Sequence, residues 1–104
     1  MPEVRLHDDC RKVFVELRPV QRKAILAWAD VLRQDPTAGN QVQRSRMPKR
    51  LQRKYGLTNL WRIALPEGWR SLYTLEAAPG NVVVVVLLIV DHKEYDRLFG
   101  YSTS

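Results

Sequence analysis

The sequence predicts an α+β domain: an N-terminal strand, a hairpin of two α-helices, then a three-stranded antiparallel meander closed by a short C-terminal helix or turn. Three observations carry that expectation. Two consecutive segments within residues 8–34 repeat apolar residues at helical spacing; residues 59–78 alternate with period two around a break at Pro66-Glu67-Gly68; and after a second break at Pro79-Gly80-Asn81, residues 82–90 are apolar throughout. A chain of 104 residues has room for one core, so residues 1–104 are read as a single domain.

The first strand spans residues 3–6, with Val4 and Leu6 on one side and Glu3 and Arg5 on the other. His7 ends it and has no evident role. Asp8 or Asp9 then offers an N-cap, because a carboxylate accepts orphan amide hydrogens and suits the positive end of the helix dipole. Cys10, Val13, Phe14 and Leu17 fall at i, i+3, i+4 and i+7, one apolar stripe that makes Cys10 a core residue. Arg18-Pro19 interrupts the helix, since proline disfavours helical geometry in the residue before it and can itself open the next helix. The second helix is expected over 20–34, with Ala24, Ile25, Trp28, Val31 and Leu32 at helical spacing and Asp35-Pro36 as its stop. Two helices with one apolar face each cannot bury it alone, so the hairpin must cover a sheet.

From residue 37 to 58 the pattern weakens. Gly39 and Asn40 favour a turn, and residues 48–55, bounded by Gly56, read as a short helix or structured loop pinned by Met47, Leu51 and Tyr55. The meander follows. Period-two geometry over 59–65 puts Trp61, Ile63 and Leu65 on one face and Leu60, Arg62 and Ala64 on the other. In the next strand Trp69, Ser71, Tyr73 and Leu75 share a face, and Arg70, Leu72 and Thr74 share its opposite. The valine-rich last strand is apolar on both faces, so it belongs in the sheet interior. If the helices cover Ile63 and Tyr73, then Arg62 and Arg70 emerge together on the other face and line a groove. Tyr73 reads as core, and Trp28, Trp61 and Trp69 as core or turn-packing residues rather than base-stacking platforms.

Charge is spread unevenly. No acidic residue lies between Asp35 and Glu67, whereas Arg44, Arg46, Lys49, Arg50, Arg53, Lys54 and Arg62 do; the rest of the chain holds ten of the 17 basic residues against all 11 acidic ones. The surplus of +6 therefore sits in one third of the chain, the footprint of a polyanion partner or, alternatively, a solvated loop that keeps the protein in solution. Cys10 is the only cysteine, which excludes an internal disulfide and a multi-cysteine metal site and suits a reducing compartment. The N-terminal residues do not resemble a secretory signal, and the nine-residue apolar run 82–90 is short of the roughly 20 residues a membrane helix needs. A cytoplasmic location with no membrane partner is the expectation.

The order of strand, two helices and three antiparallel strands, with Asn59-Leu60-Trp61-Arg62, Gly68-Trp69-Arg70-Ser71-Leu72-Tyr73, the valine-rich strand and Asp91-His92-Lys93-Glu94-Tyr95, resembles the RelE/ParE toxin superfamily of type II toxin-antitoxin systems. The likeness spans the chain and is strongest over residues 59–101. It implies a small toxin restrained by a cognate antitoxin. In the RelE-like branch it implies a metal-independent, cofactor-free endoribonuclease that cleaves mRNA, commonly on the ribosome.

On that resemblance Arg70 matches the arginine that stabilises the transition state, and its guanidinium fork suits two phosphate oxygens. Arg62 matches a basic position on the preceding strand; Ala64 stands where nuclease members often carry a lysine. His92 and Lys93 sit among the family's basic C-terminal residues, and histidine is the side-chain type most often used as a general acid or base. Tyr95 or Tyr101 would orient a base or take part in proton transfer. Lys49, Arg50, Arg53 and Lys54 are candidate RNA contacts in the basic run. Structural alternatives stand beside these: Arg70 paired with Glu76 or Asp91, and His92 as a capping residue. Two other functions fit the same residues, a ParE-like inhibitor of DNA gyrase and a non-catalytic RNA- or ribosome-binding module.

Overall fold

A computed structural model describes residues 2–100. The chain runs β1 (Glu3–Leu6), α1 (Asp8–Glu16), α2 (Pro19–Gln34), β2 (Asn40–Gln41), α3 (Lys49–Tyr55), β3 (Trp61–Ala64), β4 (Arg70–Ala78), β5 (Asn81–Val90) and α4 (His92–Phe99), with single 3₁₀ turns at Arg44–Arg46 and Pro66–Gly68. The strands form one five-stranded mixed sheet in the order β1-β5-β4-β3-β2. The expected three-stranded meander is met only in part. β3, β4 and β5 do pair antiparallel in sequence order, but β1 adds to β5 in parallel and the two-residue β2 adds to β3 at the far edge. The valine-rich strand is an interior strand, as its composition required.

The sheet is covered on both faces. On one, α1 and α2 bury Cys10, Leu17, Ile25 and Leu32 against Ile63, Tyr73, Val84, Val86 and Ile89. On the other, Met47, Leu51, Leu57 and Tyr95 pack on Leu60, Leu72, Leu87 and Val90. Each such buried aliphatic side chain contributes roughly 1.5–3 kcal/mol of transfer free energy. Val31, counted in the apolar stripe of α2, instead faces solvent at 45% exposure. A bulge in β5 divides the two faces. Leu72 pairs with Leu88 but Tyr73 with Val86, so Leu87 has no counterpart on β4. Leu87 and Leu88 consequently both turn to the second face, and Val90, opposite Arg70, ends the strand there. The start of α4 is aimed over that face.

Several boundaries differ from the sequence reading for local reasons. The N-cap of α1 is His7, whose Nδ1 accepts from the Asp9 amide at 3.0 Å, while Asp8 and Asp9 occupy the first turn. His7 therefore has a role, and neither aspartate is the cap. α2 starts at Pro19 itself, in the first-turn position where its missing N–H costs nothing. β3 is shorter than 59–65 because Asn59 makes its pairing with the side chain: Oδ1 accepts from the Leu75 amide at 2.8 Å and Nδ2 donates to Leu75 O at 2.9 Å. Gly56 closes α3 at φ 61°, a left-handed conformation that glycine adopts without strain. At the β3–β4 turn, Gln21 donates to Pro66 O at 2.6 Å and Arg18 pairs with Glu67, holding the turn to α2. Among the described residues, no helix is long and apolar enough to cross a membrane.

Candidate phosphate-binding groove

Arg62 and Arg70 project from β3 and β4 on the second face, where Arg62 pairs with Leu72 and Arg70 with Val90 in the register. α4 lays Tyr95 between them. The ring is 4% exposed; the Arg62 Cζ stands 5.9 Å and the Arg70 Cζ 5.8 Å from its centroid. Arg62 Nη1 also donates to Tyr95 Oη at 2.5 Å, and Arg70 Nη1 donates to Trp69 O at 3.0 Å. Arg62 is thus held at the hydroxyl end of the ring, and two cations brought this close to one side chain repel one another. Among the described residues no carboxylate oxygen lies within 4.0 Å of either guanidinium. Glu76 and Asp91 do not pair with Arg70; Asp91 caps α4, its carboxylate accepting from the Glu94 amide at 2.8 Å.

Two hollows open along these arginines. One, of about 140 Å³, is lined by Asn40, Arg62, Ala64 and Arg70. The other, of about 260 Å³, includes Gln41, Gln43, Arg46, Arg62, Tyr95 and Phe99. Arg62 belongs to both. Arg46 was legible as one of the cations of the basic run but not as a groove residue, since the 3₁₀ turn that delivers it has no periodicity to read.

His92 opens α4 and is 66% exposed along its side chain. Its Nε2 lies 3.2 Å from Oδ2 of Asp96, one turn on, whose side chain is 12% exposed. Helical spacing puts His92, Tyr95, Asp96 and Phe99 on one flank of α4, of which Tyr95 and Phe99 line the larger hollow. Gly68, two residues before Arg70, sits against His92: a Cβ there would lie 3.5 Å from the His92 Cβ. Sequence reasoning missed Asp96, which i,i+4 spacing from His92 would have shown. Lys93, one residue on from His92 and so about 100° further round α4, is exposed.

The α3 cations are not brought to the groove. Lys49, Arg50 and Arg53 are exposed. Lys54 pairs with Asp9 at 3.1 Å, and Tyr55 Oη donates to the same carboxylate at 2.7 Å. The Tyr55 and Lys54 hydrogen bonds hold the Asp9 carboxyl below the usual carboxylate range. These two residues latch α3 to α1. Tyr101 lies outside the described residues. No group of three or more metal-ligating side chains is gathered among the described residues.

Comparison of the chain with models of protein families, with curated proteins and with solved structures found no match in any of the three.

Proposed function

We propose that the chain is a RelE-like toxin of a type II toxin-antitoxin system, acting in the cytoplasm, that cleaves mRNA at the groove without a metal. The observation that carries this reading is the pair of guanidiniums held beside Tyr95, with no carboxylate among the described residues within 4.0 Å of either, a cationic site whose repulsion is relieved by the charge of a phosphodiester. The ribose 2′-oxygen attacks the adjacent phosphorus, the P–O2′ bond forms as the P–O5′ bond breaks, and the products are a 2′,3′-cyclic phosphate and a 5′-hydroxyl. Arg70 and Arg62 bind the non-bridging oxygens and stabilise the added charge of the phosphorane, an effect worth roughly 3–4 kcal/mol per well-placed donor. His92, held by Asp96, exchanges a proton with the attacking or the leaving oxygen, worth roughly 10²–10⁴-fold. Tyr95 is buried and bonded to Arg62, so its part is to position the arginines rather than to stack on a base. The cognate antitoxin is expected to cover the cationic groove with an acidic segment that orders on binding.

Purified protein incubated with end-labelled single-stranded RNA, and with translating ribosomes, tests the reading. Cleavage ending in a cyclic phosphate is expected, reduced about 10²–10³-fold by Arg70→Ala and about 10²–10⁴-fold by His92→Ala, with unchanged circular dichroism. RNA binding with no product on either substrate would leave a binding module. Arrest of supercoiling by purified gyrase, with no RNA product, would move the chain to the ParE-like branch.

A further inference from the structure

We propose that the larger hollow, between the β2 edge and α4, is a ribonucleotide subsite that holds the nucleotide next to the cleaved phosphate. This rests on the reading of the groove as RNA-binding and names a second contact region within it. Three observations carry it. First, Arg62 lines both hollows, with Arg70 on one side and Arg46 on the other. Phosphates follow one another along a single strand, so a cation common to two adjacent hollows is placed to span two of them. Among the described residues Arg46 has no ion pair and no carboxylate lines this hollow.

Second, the rim offers what a base edge needs. Val42 donates to Leu60 O at 2.9 Å, so by the alternation of an antiparallel ladder Gln41 turns its own N–H and C=O outward from the sheet. Gln43, which also lines the hollow, adds a side-chain amide that both donates and accepts. Third, the apolar wall is aromatic: the Phe99 ring stacks on Tyr95 with centroids 4.5 Å apart and planes inclined at 27°. The volume of about 260 Å³ is several times the roughly 30 Å³ share of a water and falls just under the roughly 300 Å³ at which small-molecule sites begin. One nucleotide fits that space; a dinucleotide cofactor does not.

The test is binding of fluorescent 2′-O-methyl RNA hexamers, which lack the attacking hydroxyl, in oligo-A, oligo-C and oligo-U form across a series of salt concentrations. Arg46→Ala is expected to weaken all of them and to make the log-log salt slope shallower by about 0.7, one phosphate contact on a single strand. Gln43→Ala is expected to change the ratio of affinities among the hexamers by roughly fivefold or more, the low end of one base-edge contact, with the slope unchanged. Hexamers that bind with slopes and ratios indifferent to both variants would overturn the subsite while leaving the groove intact. No binding of any hexamer by the wild-type protein would overturn the groove reading itself.

Discussion

Tyr95 does its work through what it touches on both sides. Its ring lies within 6 Å of both guanidinium carbons, and its hydroxyl fixes Arg62 in place, so the side-chain entropy of two long cations is spent on folding rather than on binding RNA. Cys10 shows the opposite use of a polar atom. Its thiol lies 3.2 Å from Val86 O and 3.3 Å from His7 O, tying α1 to β5. Burial pushes the thiol up to about 11. An unfolded thiol ionises near 8.5, so between those values the unfolded state releases its proton first. The stability that Cys10 contributes is therefore complete below about pH 8.5 and is lost as pH rises toward 11. Titration with a thiol reagent at mildly alkaline pH is expected to show no fast reaction in the native protein and immediate reaction once denaturant unfolds it. Fast native labelling would place the sulfur elsewhere than under α1.

At the scale of elements, the groove depends on the smallest strand. β2 holds to β3 by two residue pairs, and its approach is fixed by Gly39, whose amide donates to Tyr73 Oη at 3.1 Å while that hydroxyl donates to Pro36 O at 3.0 Å. A Cβ on Gly39 would sit 2.5 Å from Tyr73 Oη and 2.9 Å from Arg62 O, contacts that force the backbone apart. Gly39→Ala is expected to cost about 1–3 kcal/mol in urea unfolding and to speed amide exchange in residues 38–43 while α1 and α2 stay protected. This strand is also what the sequence hid. Helical spacing revealed α1 and α2, and period two put Arg62 and Arg70 on one face, because those patterns arise from burial against a single neighbour. β2 is too short for any period to register. The bulge at Leu87 is invisible where every neighbour is apolar, and Asn59 does the pairing of a strand through a side chain.

For the molecule as a whole, the two covering layers must keep a fixed relation, because the α3 region carries Arg46 and Met47 into the second face while the helical hairpin anchors the first. Asp9 is the joint. Its carboxylate takes Tyr55 Oη at 2.7 Å and Lys54 Nζ at 3.1 Å, and His7 packs edge-on against the Tyr55 ring with centroids 5.2 Å apart. The hydrogen bonds from Tyr55 and Lys54 lower the Asp9 pKa, so its contribution is present above the unfolded carboxyl value near 3.9 and disappears as pH falls through the lower folded value. Asp9→Asn at neutral pH removes the charge that Lys54 pairs with, keeps one acceptor for Tyr55, and leaves the apolar packing of Leu51 untouched. The expected result is faster amide exchange in residues 49–55 with little change in β4 and β5, reproduced in the wild type only under acid. Tyr55→Phe is expected to loosen the same helix without changing the charge. If both variants exchange like the wild type, α3 is held by Met47 and Leu51 alone, and the placement of Arg46 in the groove owes nothing to the helical hairpin on the other side of the sheet.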